Sequence, residues 1–446
     1  MFENKKVLIL GFARSGYDAA KVLIKRKNEV LIVDGKTEEQ LDKDKYNELK
    51  EMGVKFHLGD QSLDVLDNNY DYLIKSPGVP IKHPYVLKAN DLGIEVINEV
   101  EVAYNLLPKD ITIIGITGTN GKTTTTSLTY EIVKKAYPDR TYLVGNIGYP
   151  LCSIVDKVKN KDILVMEVSC QQLENMKTFR PDIAVMTNLF PAHIDFFETF
   201  EYYKKVKAKL FQNQREEDVA ILNLENNDVL EETKNIKAHK EYFSSKQKSD
   251  IYLDNNIIYY KDEEIINTSI MKIKGVHNIE NAMCAIAIAK HLNISNEVIK
   301  EVISTFTGVA HRLEFSGEVN GVEYYNDTEA TNIKCTQIAL SSFDNPIVLI
   351  LGGLERGQDF YELKEYMSNV KAIIGIGQCR ERVKEFGESL NIPTYIYEYL
   401  KDGFPKCVEV ATSGDVVLLS PASASWDQYK ECEVRGDEFK NYVKQL

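Results

Sequence analysis

A surplus of positive charge is the first thing this sequence lacks. Across 446 residues the formal net charge is −13, which argues against a general nucleic-acid binder or a protein held to anionic lipid. Any anionic ligand must then be met by local cations or by metal. Paired cysteines are lacking too: the seven lie scattered at 152, 170, 284, 335, 379, 407 and 432, none in CxxC spacing. That pattern fits a reduced compartment better than a disulfide scaffold or a zinc site. No apolar run reaches the length of a membrane span, and Met1-Phe2-Glu3-Asn4-Lys5 leads straight into a strand pattern with no leader before it. The expectation is a cytoplasmic protein with no membrane or nucleic-acid partner. Internal repeats and low-complexity stretches are absent as well. The 43% hydrophobic content is enough for several buried cores.

What is present centres on ITIIGITGTNGKTTTT (111–126). The β-branched run 111–116 predicts a buried parallel strand, and Leu128, Tyr130 and Ile132 continue a helical pattern behind the loop. Strand, glycine loop and helix in that order make a phosphate cradle. Glycine lets backbone N–H groups approach an anion, and the helix N-terminus adds its dipole. The usual G-x-x-x-x-G-K-[ST] pattern is broken by Ile116 at the first glycine position, leaving the narrower T-G-T-N-G-K-T. Gly118, Thr119, Asn120, Gly121, Lys122, Thr123 and Thr124 are the candidate phosphate contacts. Lys122 would reach the terminal phosphates and the Thr123 hydroxyl would ligate Mg²⁺.

Nearer the N-terminus, KVLIL (6–10) predicts a strand, GFARSG (11–16) a loop, and a helix follows to about residue 25. A second strand, 29–33, ends at Asp34. This opening resembles a dinucleotide fold, but Ala13 stands where G-x-G-x-x-G needs its second glycine, which weighs against NAD. A nucleotide-sugar diphosphate or a structural turn fits better. Strand 72–75 leads into Ser76-Pro77-Gly78-Val79-Pro80 at a carboxyl end, where α/β sheets bind ligands.

Beyond a boundary near residue 97, GNIG (145–148) carries one amide. Strand 162–168 delivers Glu167, and strand 182–189 delivers Asn188 and leads to His193 and Asp195. Beside Lys122 and Thr123 these form a candidate metal and phosphate site. FEYYKKVKAKLF (200–211) predicts a basic helix, whose default meaning is a solvated charged face. Residues 219–274 predict a strand, a polar helix and a hairpin at 254–256. GVHNIEN (275–281) opens an Ala-rich helix, with Asn278 as a cap and Asn281 either facing the nucleotide or capping. From about residue 309, strands alternating with helices predict another α/β unit. NDTEATN (326–332), Gly352-Gly353 with Arg356, and SPASASW (420–426) fall just past its strand ends.

With these residues assembled, the whole chain resembles the Mur ligase family of bacterial cell-wall synthesis, on its D-glutamate-adding branch. TGTNGKTTT fits the family at large and, more loosely, folylpolyglutamate synthases. GFARSG, KSPGVP, NDTEATN, LGGLERGQDF and SPASASWDQY with RGDEF carry the likeness to that branch, in family order from end to end. A nucleotide-gated binding or transport protein would not need the amino-acid motifs, and a nicotinamide dehydrogenase is opposed by Ala13 and the P-loop alike.

The resemblance implies an α/β protein of three domains. A Rossmann-like N-terminal domain (1–97) would hold the acceptor UDP-N-acetylmuramoyl-L-alanine through Ser15, Asp34 and Ser76, with Asn146 also near it. A central P-loop ATPase-like domain (98–308) would bind ATP and two Mg²⁺ ions. A Rossmann-like C-terminal domain (309–446) would bring D-glutamate, closing on ATP. Asn281, Arg312 and Asp327 match nucleotide contacts; Thr331, Arg356 and Ser425 match positions around D-glutamate. Lys122, Glu167, His193 and Lys207 match the catalytic set. The last three join Thr123 as magnesium residues, Lys207 as a carbamate. Its register follows from F-x-x-Y-x-x-x-K, with Lys205 and Lys209 only two residues away. The implied protein is a monomer serving cell-wall biogenesis, cell shape and division. Three positions depart from the family: Glu329 in place of lysine, Cys432 in place of an aromatic, and Cys170-Gln171 in place of Ser-Phe. Glu329 is expected to face solvent or to pair with a neighbouring Lys or Arg.

Overall fold

The apolar runs become the strands of three sheets in the computed structural model, which describes residues 2–59 and 62–446, the side chain of Asp195 excepted. The first sheet holds β1 (Lys6–Leu10), β2 (Glu29–Asp34), β3 (Lys55–Leu58), β4 (Tyr72–Lys75) and β5 (Glu95–Ile97), in the order β3-β2-β1-β4-β5. Every pairing in it is parallel. Strands covered by helices on both faces carry no polar alternation, which is why KVLIL reads as an unbroken apolar run. The chain runs from β1 to β2 and β3 on one side, then crosses over to β4 and β5 on the other. The gap between those two connections opens at the carboxyl end of β1, at Gly11.

The second sheet is built the same way around the P-loop strand. Its members are β6 (Thr112–Thr117), β7 (Thr141–Gly145), β8 (Ile163–Glu167), β9 (Ile183–Met186), β10 (Val219–Asn223), β11 (His239–Ser244), β12 (Ile251–Asp254), β13 (Ile257–Tyr260) and β14 (Glu263–Asn267). The order is β14-β13-β12-β11-β10-β9-β6-β8-β7. β6 lies between β8 and β9, with Ile116 opposite Glu167 and Thr117 opposite Met186. That register fixes Glu167 beside the start of the phosphate loop.

Residues 219–274 hold more strand than the sequence predicts. HKEYFS is too polar and too short to announce β11 by pattern. The hairpin at 254–256 is present: Asn255 and Asn256 both take positive φ (46° and 62°), the geometry a two-residue β-turn asks of Asn. Asn278 is not a cap. The helix Val276–His291 begins before it, and the amide donates to Lys274 O (2.7 Å) from inside the first turn.

The third sheet comprises β15 (Glu314–Val319), β16 (Val322–Asn326), β17 (Ile347–Gly352), β18 (Val370–Ile376), β19 (Thr394–Ile396) and β20 (Val416–Leu419), in the order β15-β16-β20-β17-β18-β19. Only the β15–β16 hairpin is antiparallel. The chain forms two compact units: Met1–Ile266 with Glu280–Lys300, and Asn267–Ile279 with Glu301–Leu446. All seven cysteines are free thiols. No helix among the described residues is long and apolar enough to cross a membrane.

One buried carboxyl in the first unit has a measurable cost. Glu99 is enclosed, its side chain accepting the N–H of Cys152, and burial pushes its pKa up to about 7. On unfolding it ionises at its ordinary value of 4.5. Its contribution is therefore fully present below 4.5, is lost as pH rises to about 7, and is flat above. Glu99→Gln keeps the acceptor oxygen and removes the penalty, at most about 3 kcal/mol. The variant should melt several degrees above the parent at about pH 8, with the gap closing near pH 5 in a calorimetric series. A gap that does not change with pH would show that Glu99 is ionised in the fold.

Candidate active site

The loop after β6 keeps its shape because two glycines stand where no side chain fits. At Gly118 (φ +147°) an added Cβ would lie 1.9 Å from Thr187 Oγ1, and at Gly121 (φ +81°) one would lie 2.4 Å from Asn281 Oδ1. Gly121 caps the helix Lys122–Ala136. The loop is fastened to the chain beyond β9. Thr119 N donates to Asn188 O (2.9 Å), Asn120 N to Asn188 Oδ1 (2.9 Å), and Thr187 Oγ1 to Asn120 O (2.6 Å). Asn188 is thus occupied in bracing the loop rather than free for metal. Thr119 Oγ1 meets Phe190 N (2.9 Å) and Tyr203 Oη (3.0 Å). Lys122 folds back on its own loop, donating to Gly118 O (3.0 Å) and Thr119 O (2.8 Å). Thr123 and Thr124 follow in the first helical turn, half-buried. Asn281 packs on this loop instead of capping its own helix, accepting from Thr125 Oγ1 (3.1 Å).

Glu167 and Lys207 lie beneath the loop, each 1% exposed. Asn146 Nδ2 donates to Glu167 Oε1 (2.7 Å), while Oε2 is buried with no hydrogen-bond partner. Lys207 makes one long bond, from Nζ to Thr117 Oγ1 (3.3 Å), and sits over the Tyr203 ring at 5.2 Å. Burial first, then the Lys122 charge, lowers its pKa to about 7. The helix Phe200–Ala208 is therefore not simply a solvated charged face. Lys205 is exposed, Lys204 pairs with Asp228 (2.8 Å), and Lys209 donates to Glu174 O (2.8 Å). His193 is exposed at positive φ (52°), its ring centroid 6.3 Å from that of Tyr203. The side chain of Asp195 lies outside the described residues. The orphaned Glu167 oxygen and the Thr123 hydroxyl are oxygen donors of the kind Mg²⁺ takes.

The N-terminal candidates also meet. Asp34 Oδ2 accepts Phe12 N (2.6 Å) at the end of β2, and Ser76 Oγ donates to Gly11 O (3.2 Å) past β4. Ser15 opens the helix Arg14–Lys25 that follows the same loop. Arg14, not anticipated from the sequence, donates from Nη2 to Gly148 O, tying this loop to the one that carries Asn146.

In the second unit, Asp327 is buried at the end of β16, accepting from Ser420 Oγ (2.7 Å) and Leu313 N (3.1 Å). Burial pushes its pKa up to about 7, against those bonds and the nearby Arg312 charge. Thr331 is half-buried in the loop after β16, its N–H on Glu329 O (2.8 Å). Arg356 lies exposed over the Trp426 ring at 4.7 Å, and Ser425 Oγ is buried without a partner. Glu329 departs from expectation. It is half-buried, grouped with Cys432 and Glu433 so that their ligand atoms fall within 4.8 Å, and it has no Lys or Arg ion pair among the described residues. Burial and those two carboxylates push the Cys432 thiol up to about 12.

Comparison with known proteins bears on this arrangement. Three family models match in order: the Mur ligase MurD-like N-terminal domain (5–98), the Mur ligase middle domain (116–289) and the Mur ligase glutamate ligase domain (311–423). The chain belongs to the Mur ligase family. Among curated Mur ligases, the UDP-N-acetylmuramoylalanine--D-glutamate ligase of Streptococcus agalactiae is 44% identical over 447 residues, all of this chain and 98% of that protein. The Enterococcus hirae protein of the same name is 42% identical, over all of this chain and 97% of its own length. Solved Mur ligase structures share the fold. The Thermotoga maritima MurF ligase, in complex with ADP, superposes with TM-score 0.60 at 17% identity, covering 94% of this chain and 95% of that one. The UDP-N-acetylmuramate-alanine ligase of the same organism gives 0.59 at 16%, covering 99% of each.

Proposed function

We propose that this chain is an ATP-dependent ligase that adds D-glutamate to UDP-N-acetylmuramoyl-L-alanine through an acyl phosphate, in cytoplasmic peptidoglycan precursor synthesis. The observation that carries the reading is the buried Glu167–Lys207 pair beneath the phosphate loop, in a chain that matches ligases of that name from end to end.

A carboxylate is a poor electrophile, so the acceptor carboxylate is first phosphorylated by ATP. Gly118 to Thr124 cradle the phosphates, and Lys122 turns from the loop carbonyls onto the transferring group. Bound Mg²⁺, two ions held by Thr123, Glu167, His193 and Lys207 as its carbamate, would neutralise charge on that group. Asn146 fixes one oxygen of Glu167 and leaves the other for the site. Asn281, Arg312 and Asp327 contact the nucleotide; Ser15, Asp34 and Ser76 hold the UDP of the acceptor. Thr331, Arg356 and Ser425 hold D-glutamate, whose amine attacks the acyl carbon. The tetrahedral intermediate collapses to the amide and phosphate, leaving ADP. The enzyme acts as a monomer, serving cell shape and division.

ADP release with UDP-N-acetylmuramoyl-L-alanine, measured against D-glutamate, L-glutamate, L-lysine and meso-diaminopimelate in turn, tests the assignment. D-glutamate should be strongly preferred, and equal use of L-lysine or meso-diaminopimelate would sink it. Arg356 offers a planar fork to a carboxylate. Arg356→Ala should raise the D-glutamate KM by roughly tenfold or more and leave that for ATP nearly unchanged. An effect on ATP alone would assign Arg356 to the phosphates.

A further inference from the structure

RGDEF is the motif left without a task. Its Arg435 lies in the first turn of the helix Cys432–Lys444 and is 1% exposed. Nε donates to Thr328 Oγ1 (2.9 Å), and Nη2 donates to Thr328 O and Ser423 O (3.1 Å each). A Cβ on Gly353 would come within 3.1 Å of Nη1. One guanidinium thereby touches the loops NDTEATN, SPASASW and LGGLERGQ. The same knot reaches Arg356. Gln358 Nε2 donates to Ser423 Oγ (2.5 Å), and its Oε1 accepts Arg356 N (2.9 Å).

The charge of Arg435 is not balanced by those contacts. All three acceptors are neutral, and among the described residues no carboxylate forms an ion pair with it, the nearby Asp427 charge favouring the cation only at longer range. Burial lowers its pKa to about 10, so it remains a cation at neutral pH. It also sits at a helix N-terminus, where a cation is least favoured. A tie between loops needs donors, not charge, and Gln or Asn would supply donors without the cost of burying an unpaired cation. Two residues from Ser423, the orphaned hydroxyl of Ser425 leaves a buried polar atom for a ligand to fill. Glu329 and Glu433, grouped at Cys432, oppose an anion in this region, so a fixed cation is what such a ligand would require.

We propose that Arg435 is a positioning and specificity-determining residue: its buried charge favours an amino acid with an acidic side chain over a neutral one, while its donors hold the loops that carry Arg356 and Ser425. This rests on the reading that the second unit takes D-glutamate.

The test compares wild type, Arg435→Gln and Arg435→Lys, with D-glutamate and D-glutamine as alternative amino acids. Thermal melting and the KM values for ATP and acceptor are measured alongside. Arg435→Gln should raise the D-glutamate KM by roughly tenfold or more, hold the other KM values within about twofold, and lower the D-glutamate to D-glutamine ratio of kcat/KM by about tenfold. A lower melting point or kcat with that ratio unchanged would leave Arg435 a structural tie and overturn the proposal. If Arg435→Gln does not fold, the lysine variant decides. A buried lysine loses its proton far more readily than arginine, so its ratio should fall between about pH 6 and about pH 9 while that of wild type stays flat. A flat ratio equal to wild type's in both overturns the proposal too. Wild type that uses D-glutamine or L-lysine as well as D-glutamate defeats the ligase reading itself, a different outcome from variants that keep the wild-type preference.

Discussion

Lys207→Ala should lose turnover by about a thousandfold or more, and acetate should restore part of it. The expectation follows from the lysine's surroundings. It is sealed from solvent, holds one 3.3 Å bond, and is pressed by the charge of Lys122. With a pKa of about 7, near half of it is a neutral amine at neutral pH, against roughly one part in a thousand or less for an ordinary lysine. Only the neutral amine attacks CO₂. The new N–C bond forms as a proton leaves, and a cation becomes an anionic oxygen donor beside the orphaned oxygen of Glu167. Acetate in the vacated space can replace that donor in part. Because the folded pKa is lowered, the reactive form is present above about pH 7 and lost below it. Bicarbonate dependence of wild-type activity should sharpen as pH falls, and the acetate-rescued variant should lack it. Lys205→Ala and Lys209→Ala should be mild. A carbamate signal after incubation with ¹³C-bicarbonate, absent in Lys207→Ala, gives a readout independent of turnover. Full activity in Lys207→Ala would place the donor elsewhere.

Lys122→Ala should abolish turnover within assay limits while the melting point barely moves. The loop's backbone is set mainly by other groups, although Lys122 donates to Gly118 O and Thr119 O. Gly118 and Gly121 set the backbone, and Asn188 and Thr187 brace it from the neighbouring strand. What is lost is the one loop cation able to meet the transferring phosphoryl group, a contact whose removal costs orders of magnitude in related chemistry. There is a second effect. Lys122 helps hold the Lys207 pKa down, so its removal should make the amine harder to deprotonate and weaken the carbamate signal. The two substitutions should then be non-additive, the double variant no worse than Lys122→Ala alone. Near-native activity in Lys122→Ala would show that the loop does not act on phosphate.

The sheets were largely legible because parallel strands buried on both faces leave apolar runs that few other elements imitate. β11 and β14 escaped that logic, HKEYFS and EEIIN being short and half polar. Residues on one motif, such as Lys122 and Thr123, could be placed together by spacing alone. The juxtaposition of Glu167 with Asn146 depends on β7 and β8 lying side by side, which no local pattern states. Tyr203 under Lys207 was signalled by the F-x-x-Y-x-x-x-K spacing, but its depth was not. Asn188 and Glu329 show the limit from the other side. A polar residue at a strand end invites a ligand reading, as at Asn188, and a carboxylate a solvent or ion-pair reading, as at Glu329; only the tertiary partners tell that the first braces a loop and that the second lies beside Cys432 and Glu433.

The path of the chain between the two units has a practical consequence for dissecting the protein. The backbone leaves the first unit after Ile266, returns at Glu280, and leaves again after Lys300. No single cut separates them. A fragment ending at residue 266 would discard Asn281 and the run from Ala282 to Ala289, whose side chains are all fully enclosed, and would bare the apolar trough they fill. A fragment ending at residue 300 keeps that helix but drags along Asn267–Ile279, stripped of its own neighbours. Protease nicks, gene halves and domain grafts drawn at either point should therefore yield sticky, poorly soluble pieces, and a faithful excision needs three breaks and a splice.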